Sequence, residues 1–381
     1  MEDFGLHDKL ELENREFHIH TGTVVNDQKI ITEVFEKGMF LISRETNLHI
    51  RNELNTFDYE FLNERTQEFH HQLIDELEAL YQIESKLKRY KHSKSHYRLG
   101  VLFLRRNLFE EAINQFKVAI ELDKNFSKAK LGMGICYLKT RQFEQALESI
   151  SSLVKTDDQY PDVLNFFGLT HLFLGDYEKA MSLFKEAIQL NPNYAECQFN
   201  FGVALYKSAL EGVKNPQEVT VPARVSIYMK QVRNSEKYAS NYWQNEFTKL
   251  LELLKNNNHE VIIPQLEKFQ LKLVDFVSDR DKVYEFYLRF LFGGKDIDLN
   301  IIKNYQQYFD FHTQSHQQYP DYWDDQGTFN LIKSRSLLLK AMSEFEKAIE
   351  IGPNFSDAKQ NLDKIKSNEK GFMILLRAIL K

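Results

Sequence analysis

Three stretches decide the fold: SHYRLGVLFLRRNLFEEAINQFKVAIELDKNF (95–126), AKLGMGICYLKTRQFEQALESISSLVKTDDQY (129–160) and VLNFFGLTHLFLGDYEKAMSLFKEAIQLNPNY (163–194). Gly100, Gly134, Gly168 and Gly202 stand 34 residues apart, and Ala112, Ala146 and Ala180 keep the same step, each twelve residues after a glycine. Only 15 of the 381 residues are glycine, so four in register mark a repeat. A fixed period of this length means stacked supersecondary units rather than one closed core.

Each unit reads as two helices joined by a short break. Leu99-Gly100-x-x-Phe103 leads to Ala112, Phe116 and Ala119; Met133-Gly134-x-x-Tyr137 leads to Ala146, Ile150 and Leu153. Phe167-Gly168-x-x-His171 leads to Ala180, Phe184, Ala187 and Pro192. Small residues at the glycine and alanine positions let antiparallel helices approach closely, and the large side chains between them fill the remaining gap. Pro192 cannot continue a helix and so ends the third unit.

Over 93–206 these positions resemble the tetratricopeptide repeat, with departures: His96 stands at the position usually held by Trp, His171 replaces Tyr, and Lys124 and Asp158 replace Pro. The resemblance extends to bacterial tetratricopeptide proteins with a short β-rich head. It implies a mainly α fold, an α-α superhelix, whose first helices line a concave groove. Carried over position by position, the groove residues are Tyr97, Val101 and Leu104; Leu131, Ile135 and Leu138; Asn165, Leu169 and Leu172; and Phe199, Val203 and Tyr206. In co-chaperone members of the family Lys and Asn at such positions grip a terminal carboxylate. Here Tyr97, Val101 and Gly132 stand instead, so that clamp is absent. Nine of the twelve are aliphatic or Phe, which implies a mostly apolar guest. That guest is either a partner or the chain's own middle segment or tail.

Upstream, residues 1–55 form a β-rich head. Phe17–Val25, Lys29–Glu36 and Met39–Arg44, separated by Asn26-Asp27 and Lys37-Gly38, predict three strands of an antiparallel β-meander. Residues 56–92 form a connecting helix, its apolar positions 62, 69, 73, 77, 80, 83 and 87 either lying on the sheet or pairing with a second copy. Downstream of repeats one to three and the first helix of a fourth (93–210), the turn-rich run 211–222 opens a divergent helical region reaching to 319. Residues 320–368 restore the pattern through Trp323, Gly327, Ala341, Phe345, Ala348 and Pro353, as a final repeat with a capping helix. Residues 369–381 close with an apolar helix, expected to dock on the last repeats.

Little catalytic chemistry is written in the chain. No HExxH, GxSxG, GxxxxGKS or CxxC occurs, so no enzyme activity and no cofactor are expected. His18 and His20 share a strand face at a spacing metals can use, but no Cys or third His stands near them in sequence, so no metal site is expected there. His92 with His96, and His312 with His316, are i,i+4 pairs read as packing or solvent-facing residues. Cys136 and Cys197 lie in apolar helical pattern and read as buried thiols.

Charge narrows the partners. A net charge of −6 argues against a protein that coats nucleic acid, and the charged start and lack of long apolar runs suggest a cytoplasmic, reduced setting. Residues 86–106 nevertheless hold eight Lys or Arg and no acid. Lys94, Arg98, Arg105, Arg106 and Lys128 are the expected basic edge of the groove, steering an acidic partner with an apolar face. Nucleic-acid binding through 86–106 is the alternative. A non-enzymatic scaffold for a protein or peptide partner is the function these features imply.

Overall fold

The computed structural model describes residues 5–24, 29–47, 59–153, 160–256, 258–274, 280–293, 299–315 and 320–380. The fold is mainly α, with a small antiparallel sheet at the front. The chain divides into two compact units, one made of residues 1–111 and 278–381 and the other of residues 112–277.

The first unit begins with β1 (Gly5–Leu12), β2 (Arg15–Val24), β3 (Lys29–Glu36) and β4 (Met39–Asn47), a meander in sequence order. The expected three strands are four. Residues 5–12 are charged enough to hide a strand, because an edge strand buries little on either face. Glu13 and Asn14 turn the first hairpin with φ of 45° and 70°. Phe17, Ile19, Ile30 and Val34 are buried on the inner face. Helix α1 (Tyr59–Leu87) lies on that face, with Leu62 and Phe69 packed against Ile30, and its Leu73, Leu77 and Leu80 are also buried. Residues 56–58 of the expected connecting helix lie outside the described residues.

Polar groups beneath the sheet are paired. Thr21 Oγ1 meets Thr32 Oγ1 and His70 Nδ1, each at 2.7 Å, and His70 Nε2 reaches Asp8 at 3.1 Å. Arg15 bonds Glu36 and Glu111, and the Tyr81 hydroxyl donates to Glu111 at 2.9 Å. The unit continues through α2 (Ser93–Leu104), the start of α3 (Phe109–Leu122), and α12 (Asp281–Phe292), α13 (Leu299–Ser315), α14 (Pro320–Ile351) and α15 (Ser356–Leu380).

Here the structure corrects two expectations. Residues 320–351 form one helix, not the two helices of a repeat. The run LIKSRSLLLKAMSEF (331–345) holds no Gly, Pro or Asn to turn the chain, and Gly352-Pro353 then stops the helix. Gly327 is exposed, and a Cβ there would meet nothing within 4 Å, so no second helix presses on it. Likewise the capping helix and the apolar tail are one helix, α15. Its Leu376 and Leu380 are buried with Val283, Phe286, Phe309, Phe329 and Ile332.

The second unit holds α4 (Ser127–Lys139), α5 (Phe143–Ser151), α6 (Pro161–Phe173), α7 (Tyr177–Leu190), α8 (Ala195–Leu210), α9 (Ala223–Arg233), α10 (Asn241–Leu253) and α11 (His259–Leu273). The repeat glycines do what their spacing implied. A Cβ on Gly134 would stand 2.5 Å from Ile150 Cγ1, and one on Gly168 would stand 2.8 Å from Phe184 Cε1. Only a residue without a side chain permits that approach.

A second signature recurs at the same period. Asn107, Arg141 and Gly175 all adopt positive φ, at 56°, 59° and 83°. After each, the next amide bonds back to the residue five earlier: Leu108 to Phe103, Gln142 to Tyr137 and Asp176 to His171. One helix ending, with a left-handed residue and a returning bond, is thus used three times. The fourth unit is completed late. After the 211–222 loop, α9 packs on α8, with Tyr228 Cδ2 3.1 Å from where a Gly202 Cβ would be.

Candidate functional site

All twelve expected groove positions are buried: Tyr97, Val101 and Leu104; Leu131, Ile135 and Leu138; Asn165, Leu169 and Leu172; Phe199, Val203 and Tyr206. In the free chain they do not form an open surface. The chain's own helices cover the positions whose contacts are identified below.

In the first unit α12 lies against α2. Tyr97 meets Tyr284 edge-on with ring centroids 6.1 Å apart. Arg98 sits over the Tyr287 ring at 5.3 Å and donates to the carbonyl of Leu380 at 3.0 Å. In the second unit α11 lies against α8. Phe199 meets Phe269 at 6.1 Å, nearly perpendicular, and the Tyr206 hydroxyl bonds His259 Nδ1. Lys207 pairs with Glu267 at 2.6 Å.

A polar ladder runs through this contact. Asn165 donates to the Tyr194 hydroxyl at 3.1 Å, Asn200 donates to Asn165 Oδ1 at 3.0 Å, and Gln270 donates to Asn200 Oδ1 at 2.9 Å. Gln270 Oε1 is buried without a partner. A small cavity of about 50 Å³ opens here, lined by Asn165, Tyr194, Asn200, Gln270 and their neighbours. Asn165 was foreseen as a groove residue. Asn200 and Gln270 were not, because Asn200 is one place off the expected groove positions and Gln270 lies outside the repeats.

The expected basic edge is largely consumed. Arg98 is held as above, Arg105 pairs with Asp281 at 2.7 Å, and Arg106 is buried against Glu76. Lys88 reaches Glu13 at 3.3 Å. Lys94 and Lys128 are exposed. Three of the eight bases of 86–106, Arg98, Arg105 and Arg106, thus make contacts within the first unit.

Glu76, the partner of Arg106, lines a cleft of about 490 Å³ together with Arg44, Asp75, Lys282, Glu285 and Arg289. Glu76 bonds both Arg44 and Arg106, while Glu285 takes Arg289 at 3.0 Å and Lys282 at 3.3 Å. Burial works against the Glu76 charge, but the guanidiniums of Arg106 and Arg44 outweigh it and hold its carboxyl down at about 2. Most of the cleft's charge is thus balanced by the chain itself.

On the head, the outer face of β1 and β2 carries a cluster that sequence reading missed. His7 lies opposite His20 in the register, with ring centroids 4.3 Å apart, and stacks on His18 at 5.6 Å. The third histidine near His18 and His20 comes from β1, whose strand was not foreseen. The alternation of Leu6, Leu10 and Leu12 was the available signal. Burial first, and then the neighbouring His7 and His18, pull the His20 pKa below the ordinary histidine value. His96 is buried and its Nε2 meets the Tyr90 carbonyl at 3.3 Å, while His92 Nδ1 meets the Ser95 hydroxyl at 2.5 Å. Among the described residues, neither joins two other His, Cys, Asp or Glu in ligating positions. The side chains of His312 and His316 lie outside the described residues.

Cys136 and Cys197 are free and buried, and desolvation pushes both thiols well above their ordinary pKa. No helix among the described residues is long and apolar enough to cross a membrane.

Comparison with known proteins gives the repeats a family. Residues 103–166 match a family model described as tetratricopeptide repeat, and residues 168–208 match one described as TPR repeat. No curated protein matches the chain. Among solved structures, YrrB, titled a TPR protein with an unusual peptide-binding site, is 14% identical, with 55% of this chain and 97% of that one covered at a TM-score of 0.32. PilF of Pseudomonas aeruginosa is 17% identical, with 62% and 96% covered at a TM-score of 0.34. The family matches coincide with the 34-residue period, the close glycine approaches and the recurring left-handed turns: residues 103–208 of the chain are built of tetratricopeptide repeats, and a four-stranded antiparallel sheet precedes them in sequence.

Proposed function

We propose that the chain is a protein-interaction scaffold that receives an amphipathic helix from a partner, in the place α11 takes against α8. One observation carries the reading. A mostly apolar first-helix surface, of the kind this repeat uses to hold guests, is met in the free chain by an amphipathic helix from outside the repeats, through Phe269, Gln270 and His259. The guest chemistry follows from the residues α11 supplies. They are an aromatic ring for Phe199, an amide for Asn200 and an acid for Lys207. A partner helix with that pattern competes with α11, which has the advantage of belonging to the same chain. The guest is thus apolar on one face and acidic at its margin.

The test uses the full chain and a labelled peptide of residues 259–273. In the Leu266→Ala/Phe269→Ala variant the internal helix loses its anchors, and the peptide is expected to bind saturably by fluorescence anisotropy, at least tenfold more tightly than to the wild type. Absence of binding to both proteins overturns the helix-exchange reading.

A further inference from the structure

We propose that His7, His18 and His20, on the outer face of the head sheet, form a binding site for a divalent transition-metal ion such as Zn²⁺. The site depends on neither the repeats nor their guest.

The geometry begins with one pair. His18 Nδ1 and His7 Nε2 stand 3.4 Å apart, about the separation of two nitrogens each ~2.0–2.1 Å from a tetrahedral ion. The tautomer of His18 follows from its other nitrogen. Nε2 lies 2.9 Å from a Glu16 carboxylate oxygen, and an ionised carboxylate only accepts, so Nε2 carries the proton and Nδ1 offers its lone pair. A carboxylate behind a histidine is the arrangement that orients metal-ligating imidazoles and raises their basicity.

His20 supplies the third ligand. It lies directly across from His7 and two residues from His18 on the same face, where side chains in neighbouring strands stand ~5 Å apart at Cβ. Among the described residues no three such groups already stand in ligating positions. His20 is exposed, so rotation of its side chain toward the His7 and His18 pair costs rotamer freedom and its edge contact with Phe35.

The surroundings favour a cation. Glu11, Glu16 and Glu33 share this face, and Glu33 lies across from His20 on β3. The lysine beside them, Lys9, is already paired with Glu11 and Glu16 at 3.0 and 2.8 Å. Three imidazoles on a rigid sheet leave a fourth position for water or a carboxylate, as in three-histidine zinc sites.

The test is isothermal titration of Zn²⁺ into the untagged, chelator-treated full chain at neutral pH. One equivalent is expected to bind, and Co²⁺ in its place is expected to show the visible bands of a tetrahedral ion. His7→Ala, His18→Ala and His20→Ala should each weaken Zn²⁺ at least tenfold, and Glu16→Gln about tenfold. His71→Ala, on α1, should leave binding unchanged. All four substituted head residues have at least partly exposed side chains, and an unchanged circular dichroism spectrum shows that the fold is intact. Failure of the wild type to bind Zn²⁺, or equal binding by the triple histidine variant, overturns the site.

Discussion

The side-chain amide of Gln270 donates to Asn200 Oδ1 across 2.9 Å, joining a helix outside the repeats to the fourth repeat's first helix. Asn200 also donates to Asn165, so it holds two bonds of the ladder where Gln270 holds one. Buried amides left without partners cost ~1–3 kcal/mol each. Asn200→Ala is therefore expected to lower stability more than Gln270→Leu, which strands Asn200 Oδ1 but also removes the orphan Gln270 Oε1. Urea midpoints of the two variants check the order. Equal losses would mean that the ladder does not couple the two helices.

Two glycine-to-alanine changes should act in opposite directions. Gly134→Ala puts a methyl 2.5 Å from Ile150, and relieving that overlap is expected to cost ~1–3 kcal/mol. Gly327→Ala puts the same methyl into open space within a helix, where alanine is favoured by ~0.5–1 kcal/mol. Thermal melts of the two variants decide it. A rise for Gly134→Ala would show that the repeat helices are not in close approach.

Glu76 makes stability depend on acid. Its carboxyl falls from an ordinary 4.5 to about 2 on folding, so its contribution is fully present above pH 4.5 and is lost as pH falls toward 2. The shift corresponds to about 3 kcal/mol. Glu76→Gln should flatten the fall in denaturation midpoint between pH 5 and pH 2. It should also destabilise the protein at neutral pH, because Arg44 and Arg106 lose their shared carboxylate. A pH profile parallel to the wild type would remove Glu76 as the cause.

The two thiols should report on the integrity of the repeats. Cys136 and Cys197 are fully buried, with desolvation disfavouring both thiolates. A thiol reagent at pH 8 is expected to leave both unmodified in the native protein and to titrate both in denaturant. Rapid native reaction of Cys197 would indicate that α8 opens from its neighbours.

The repeats were legible because glycines at a fixed step are rare in a chain with so few of them. The groove residues were legible as apolar first-helix positions, but their exposure was not. An apolar helix face reads the same whether its guest belongs to a partner or to the chain, and Phe269 and Gln270 lie beyond any repeat register. The final repeat was misread because Trp323, Gly327 and Ala341 matched a pattern while the intervening residues supplied no turn. The head's third histidine stayed hidden for a different reason. Residues 5–12 are broken up by Asp8, Lys9 and Glu11, and His7 approaches His18 and His20 only after the Glu13-Asn14 hairpin folds them together.

The division of the chain has a consequence for its synthesis. Residues 112–277 are continuous and hold their own helix contacts, so that unit can close while the ribosome is still working. The other unit needs residues 278–381 as well as 1–111, and Arg98 finds its carbonyl partner only at Leu380. At ~5–20 residues per second, the nascent head and α2 wait roughly ten to thirty seconds before even the first of α12 emerges. During that interval Tyr97, which meets Tyr284 of α12 in the finished fold, has not yet gained that contact.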